Sequence, residues 1–289
     1  MLAIMSVRIS CVSVLLPLVA VISGSQIKII NGEDAAPMSH PHQVSLQWNI
    51  LAAIGFPGER WFHICGGSVI RKNVVLTAAH CAEIASKPAE LKVVVNDHRL
   101  FDVDDTEQSI LVKEIILHED YIPGQDYDNS VYPNDIALLR LVGEVADSSS
   151  IIQIDTEEDR NRTGQTCIIT GWGLNDTNSA TPNILQQREM KVISEKECEE
   201  LWDVEDSFIF KGHVCVFDGP NNTTGGAACS GDSGGPLVCD GVLVGVTSWG
   251  RTGCRVPETG EFLPSVYARV SYYYGWIQTT LQRWSIGRG

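Results

Sequence analysis

The sequence predicts an all-β protein with one helix near its C-terminal end. Two observations carry this. Short segments rich in Val, Ile and Leu are separated by clusters of Gly, Asn, Asp and Pro, the spacing of an antiparallel sandwich or of barrels. Only the stretch 272–283 has a helical pattern.

Taken in order, the candidate strands are 43–48, 68–76, 91–95, 110–118, 135–142, 167–171, 236–249 and 265–270. The polar stretch 143–150 divides the 289 residues into halves of similar size, each large enough for its own core. Segments 49–61 and 251–264 read as long surface loops. The first carries Ile50, Leu51, Ile54, Phe56 and Trp61; the second surrounds Cys254. No internal repeat or low-complexity tract is present in the sequence.

The N-terminus has a different character. Arg8 precedes an apolar run of about 14 residues, 9–22, interrupted by Pro17 and followed by Ser23, Gly24 and Ser25. This is the layout of a secretory signal peptide over 1–25. A spanning helix needs roughly 20 apolar residues, so a membrane anchor is not expected. The mature protein should be secreted, soluble and monomeric. The nine cysteines fit this reading: Cys11 leaves with the signal, and eight remain in an oxidising compartment.

The charge excludes other classes. There are 36 Asp and Glu against 21 Lys and Arg, a net −15. Nucleic-acid binding needs clustered cations that displace counterions, and an anionic membrane surface needs the same.

Three motifs carry chemistry. Ser233 lies in Gly231-Asp232-Ser233-Gly234-Gly235-Pro236, where glycines permit a tight turn that exposes its hydroxyl. A hydroxyl needs a base within hydrogen-bond reach, and the base needs an orienting group. Thr77-Ala78-Ala79-His80-Cys81 supplies a histidine. Asn134-Asp135-Ile136-Ala137-Leu138 supplies an acid at the mouth of an apolar strand.

Together these motifs resemble the trypsin/chymotrypsin family of secreted serine endopeptidases, over 29–284. The order His, Asp, Ser is the family's order. The resemblance implies two packed six-stranded antiparallel β-barrels with a C-terminal α-helix. The first barrel would span about 29–145, the second about 150–271, and the helix about 272–284. It also implies catalytic His80, Asp135 and Ser233, with the N–H groups of Gly231 and Ser233 as the oxyanion hole. Ser248-Trp249-Gly250 matches the strip that pairs with substrate backbone.

Lys28 precedes Ile29-Ile30-Asn31-Gly32. The resemblance implies a zymogen with a propeptide over 26–28. A trypsin-like protease would cut after Lys28, and the freed Ile29 amine would pair with Asp232. Loss of Arg8 and Lys28 leaves 19 basic residues against 36 acidic, a net −17. No regulatory module precedes Ile29 in this sequence, which suits a digestive enzyme.

Specificity is read from the pocket positions. Six residues before Ser233 stands Ala227, where trypsin-like members carry Asp, and Ala228 follows it. Gly250 leaves one wall open, and Ser265 on the other wall shortens the pocket. These imply cleavage after aromatic or large aliphatic residues, with an elastase-like preference for small ones as the alternative. A catalytically inactive homologue acting as a binding protein is a further alternative. Protein and peptide substrates, and protein protease inhibitors, are the expected partners.

Of the 105 pairings that eight cysteines allow, the resemblance selects Cys65–Cys81, Cys167–Cys239, Cys198–Cys215 and Cys229–Cys254. Asp97 and Glu107 match the spacing of a family calcium pair, with Asp104 between them; a solvated acidic loop is the competing reading. No cofactor is required for the chemistry. Glycosylation sequons stand at Asn161, Asn175, Asn221 and Asn222.

Overall fold

A computed structural model describes residues 29–104, 106–123, 132–147, 150–174, 181–203, 209–220, 225–251, 254 and 261–286. Alternating burial marks its half-exposed strands. In β6 (Gln108–Leu117), Ile110 and Val112 are buried while Leu111 and Lys113 face outward, the two-residue period of a sheet with one wet face. A strand covered on both faces instead reads as a near-continuous apolar run, as in β4 (Val74–Thr77), which is buried throughout.

The first half forms a closed ring. β2 (Gln43–Asn49) pairs with β3 (Trp61–Arg71), which pairs with β4. β4 pairs with β7 (Ala137–Leu141), β7 with β6, β6 with β5 (Leu91–Val95), and β5 returns to β2. All six pairings are antiparallel. Closure removes the sheet edges. Leu46, Leu76, Val93, Leu138 and Leu139 fill the interior with no exposed surface.

The second half closes in the same way. β9 (Thr166–Gly171) pairs with β10 (Gln186–Ile193), which pairs with β11 (His213–Val216). β11 pairs with β14 (Ser265–Arg269), β14 with β13 (Val242–Trp249), β13 with β12 (Pro236–Cys239), and β12 returns to β9. The short strand β8 (Gln153–Ile154) adds to β13 in parallel. The expected pair of six-stranded antiparallel barrels is therefore present.

The chain crosses between its halves at both ends. β1 (Glu33–Asp34) pairs with β10 of the second barrel, and Ile29 lies in that barrel's core beside Met190 and Tyr267. At the other end, helix α4 (Tyr274–Ile286) sends Ile277 and Trp284 into the core cluster of the first barrel. The barrels meet where Gln43 of β2 accepts the Thr170 hydroxyl of β9 at 2.6 Å. There Gly66 and Gly235 touch: a Cβ on Gly66 would lie 2.9 Å from the Gly235 Cα.

The elements differ from the sequence reading in four places. The segment 68–76 divides into the end of β3 and β4, turning at Lys72 and Asn73. The segment 236–249 divides into β12 and β13 at Asp240 and Gly241, with φ +51° and +77°, the geometry of a tight hairpin. Strands β10 and β11 were not expected; β10 reads Gln-Gln-Arg-Glu-Met-Lys-Val-Ile and buries its apolar residues only toward one end. Within 49–61, residues Ile50–Ala53 form one helical turn, α1, capped by the Asn49 side chain.

All four implied disulfides form: Cys65–Cys81, Cys167–Cys239, Cys198–Cys215 and Cys229–Cys254. The third ties helix α3 (Glu195–Trp202) to β11. Residues 1–28, with the signal segment, the propeptide and Lys28, lie outside the described residues, as do Asn175, Asn221, Asn222 and most of 251–264.

Candidate active site

His80 stands on α2 (Ala79–Ala82), a single turn directly after β4. The turn has no side-chain cap. It is held instead by the disulfide from Cys81 to Cys65 and by burial of Ala79, Cys81 and Ala82.

Asp135 enters from the connection before β7, behind Asn134, whose φ of +55° is one asparagine tolerates. Its carboxylate is buried and accepts three hydrogen bonds. The donors are the His80 backbone N–H at 2.9 Å, the His80 ring at Nδ1 at 2.7 Å, and the Ser248 hydroxyl at 2.6 Å. A carboxylate can only accept, so Nδ1 carries the proton and Nε2 keeps its lone pair. Burial works against charge on His80. The Asp135 carboxylate, helped by Glu83, outweighs it and holds the imidazole above its ordinary value of 6.5. This is an imidazole oriented and electrostatically prepared to take a proton.

Ser233 lies in the turn before β12. Gly231 and Gly234 have φ of +100° and +74°, angles that favour glycine. At Gly234 space forbids a side chain as well: a Cβ would lie 2.6 Å from the Gly66 carbonyl oxygen and would overlap Thr77 Oγ1. Within the turn, the N–H groups of Asp232, Gly234 and Gly235 donate to Cys229, Thr247 and Asp232 carbonyls at 2.9, 2.7 and 2.9 Å. Among the described residues, the N–H groups of Gly231 and Ser233 have no backbone acceptor. These are the two donors expected at the oxyanion hole.

His80 and Ser233 line one cleft of about 190 Å³. No hydrogen bond joins them among the described residues; Nε2 lies 3.6 Å from Cys81 Sγ. Such contacts commonly tighten only with substrate bound.

A second histidine was not expected here. His63 of β3 bonds the Gly231 carbonyl through Nε2 at 3.1 Å and Ser45 Oγ through Nδ1 at 2.9 Å. Burial pushes its pKa down to about 4, against the pull of the Gly231 bond. It is a neutral ring that donates to Gly231 and so steadies the turn. No motif marks it in the sequence.

Asp232 is buried beneath the turn. It accepts the Gly173 N–H at 2.8 Å and the Cys229 N–H at 2.9 Å. Burial pushes its pKa up to about 6 despite both donors. Ile29 is fully buried in the same barrel, but no hydrogen bond or ion pair joins it to Asp232 among the described residues.

Ala228, Ser248, Trp249 and Gly250 line the cleft beside the Cys229–Cys254 disulfide. A Cβ on Gly250 would meet nothing within 4 Å. Ala227 lies behind the lining, packed against Ile30, Cys254 and Phe262. Ser265 is buried, and its hydroxyl accepts the Ala228 N–H at 3.1 Å; it braces the wall. Two further lining residues had no sequence signal. Tyr132 stacks on His80 with centroids 5.1 Å apart and planes at 21°, and Arg251 follows Gly250.

The acidic residues sit on the rim of the first barrel. Asp97 is buried, and its Oδ1 has no partner. Burial, with repulsion from Glu107 and Asp104, pushes its pKa up to about 7. Burial also raises Glu107, and Asp104 adds to this. A hard cation would relieve all of these strains. The three carboxylates do not each bring an oxygen within 4.8 Å of the others; the one trio meeting that spacing among the described residues is Cys65, His80 and Cys81, already committed to the disulfide and to Asp135. Asn161 is exposed, and its Oδ1 accepts the Thr163 N–H at 2.9 Å.

Two closed barrels with a Ser, a His and a buried Asp brought to one cleft define a hydrolase built for acyl transfer. Comparison with known proteins agrees. The Trypsin family model matches residues 29–277. Kallikrein-8 of Mus musculus is 36% identical over 88% of this chain and 86% of its own length. A chymotrypsin-like serine proteinase of Haliotis rufescens is 35% identical over 87% and 91%. Trypsin-1 of Astacus astacus is 33% identical over 86% and 98%. The structure of neuropsin, a serine protease expressed in the limbic system of mouse brain, superposes with a TM-score of 0.67 at 35% identity, covering 86% of this chain and 98% of that one. The chain belongs to the trypsin family of serine proteases, and it is a serine endopeptidase. Its substrates are proteins and peptides. Among the described residues no helix is long and apolar enough to cross a membrane.

Proposed function

We propose that the chain is secreted as a zymogen and, once activated, cuts peptide bonds through an acyl-enzyme on Ser233. Ser233 Oγ attacks the scissile carbonyl. His80 takes its proton at Nε2 and later returns it to the leaving amine. Asp135 holds the His80 tautomer and stabilises its cation. The N–H groups of Gly231 and Ser233 receive the oxyanion, where preorganised donors act most strongly. The observation that carries this reading is the Asp135 carboxylate, buried and bonded at once to His80 Nδ1, the His80 N–H and Ser248.

Activation is cleavage after Lys28 by a trypsin-like protease. The Ile29 amine then pairs with Asp232, whose raised pKa marks a buried carboxylate in want of a cation. The substrate lies as an antiparallel strand along Ser248 to Gly250.

Cleavage follows aromatic or large aliphatic residues. The open wall at Gly250 and the uncharged Ala227 and Ala228 support this. The Ser265 hydroxyl, held against the Ala228 N–H, supports a shorter pocket and the second reading, a preference for small residues. A digestive role, control by protein inhibitors, calcium at Asp97, Asp104 and Glu107, and a glycan on Asn161 complete the proposal. The test is to activate the zymogen with trypsin and compare peptide substrates ending in Phe, Leu, Ala and Arg. Fastest turnover after Phe or Leu is expected; a strong preference for Arg overturns the pocket reading.

A further inference from the structure

Of the described residues lining the Ser233 cleft, Arg251 alone carries a permanent charge. Its position is fixed from both sides. β13 ends at Trp249, two residues before it, and its own carbonyl accepts the Cys254 N–H at 2.7 Å, with Cys254 held by disulfide to Cys229. Its guanidinium Nε is shielded from solvent and has no hydrogen-bond partner among the described residues. Among the described residues the acids around His80 and the Ser233 turn have other partners: Asp135 has His80 and Ser248, Asp232 two backbone N–H groups, and Glu83 the Tyr121 hydroxyl. A shielded guanidinium N–H without an acceptor is costly, and a carboxylate matches the planar fork it belongs to.

We propose that Arg251 makes the enzyme select an acidic side chain, Asp or Glu, two or three residues upstream of the residue at which it cleaves. This rests on the reading that substrate pairs along Ser248 to Gly250. Ser248 is bonded to the catalytic acid, so the cleaved residue lies beside it. An antiparallel strand then runs upstream past Trp249 and Gly250 and meets Arg251. Three residues of extended chain span about 10 Å, which places the contact two to three residues upstream. The chain as a whole is strongly acidic and repels acidic peptides at long range. The selection is therefore a contact effect of Arg251 and not a property of the surface field.

The experiment uses activated enzyme and peptides that differ only in Glu, Gln or Lys at those two upstream positions. Glu should exceed Gln by about tenfold in kcat/KM, a strength between that of an exposed and a buried charged pair, and Lys should fall below Gln. R251A should bring the Glu/Gln ratio to about one, and R251E should favour Lys. R251K, which keeps the charge and loses the fork, should keep part of the ratio. Binding of the labelled peptides to the S233A variant, followed by fluorescence anisotropy, reads the same preference without turnover. Equal values for Glu and Gln in the unmodified enzyme, or a ratio unchanged in R251A, would overturn the proposal. Failure to cut any peptide would overturn the reading of the triad instead, and the S233A binding ratio would still decide for or against Arg251.

Discussion

Replacing Asp232 by Asn should flatten the pH dependence of the uncleaved zymogen's stability between about pH 4 and pH 6. Asp232 titrates near 3.8 in an unfolded chain and at about 6 in the folded one. The folded state thus favours the protonated acid. That stabilisation is complete below pH 3.8 and disappears as pH rises through about 6. The difference corresponds to about 3 kcal/mol. Asp97, with a pKa of about 7, loses stability across an overlapping window, so the quantity to read is the difference between Asp232 and its Asn variant. Guanidinium unfolding at pH 4, 5, 6 and 7 gives it. The Asn variant starts lower, because its amide NH2 faces either the Gly173 or the Cys229 N–H, but its curve should lack the 3 kcal/mol fall. Cleavage after Lys28 should remove the same fall from the unmodified protein, since the Ile29 amine then partners the carboxylate, and leave the Asn variant's slope unchanged. Parallel curves for the two uncleaved proteins would refute the reasoning, for Asp232 would then carry no uncompensated charge.

Three other outcomes follow from the same geometry. The rate should rise with pH through the His80 pKa, above 6.5, because Asp135 holds it there; in D135N burial is opposed only by Glu83, so the midpoint of the kcat/KM profile should move to lower pH while the rate falls. Gly234→Ala meets both a positive φ and the Gly66 carbonyl, and should lower stability by about 2–5 kcal/mol, read as the shift of the guanidinium midpoint at constant slope. Calcium should raise the melting temperature at pH 7, where Asp97 is half-protonated without it, and D97N should remove that response; a chelator without effect on the unmodified protein would favour a solvated acidic loop.

The parts of this molecule legible in the sequence are those that local chemistry dictates. Leu91–Val95 reads Leu-Lys-Val-Val-Val, apolar and β-branched apart from one lysine, and reads as a strand. The turn around Ser233 declares itself because Gly231 and Gly234 occupy backbone angles that exclude most other residues. What stayed hidden depends on contacts distant in the chain. β10 leaves Gln187 and Arg188 half-buried and Glu189 exposed, so its pattern resembles a polar loop until β9 and β11 flank it. β1 joins β10 across some 150 residues of sequence. Ser248 reaches Asp135 from the other barrel, 113 residues away. His63 and Tyr132 gain their places only when β3 meets the Ser233 turn and the segment before Asp135 folds over His80. Arg251 is unremarkable as a residue and distinctive only as the lone permanent charge among the described residues of the cleft.

The most direct test of the central claim is covalent labelling with a fluorophosphonate, before and after trypsin treatment, followed by mass spectrometry and N-terminal sequencing. The geometry predicts weak labelling of the uncleaved chain. Once the N-terminus is Ile29, it predicts one stoichiometric adduct on Ser233, lost in S233A and in H80A. An unlabelled protein with an intact Ile29 terminus, or an adduct on any other residue, would contradict the assignment of His80, Asp135 and Ser233 as the catalytic triad.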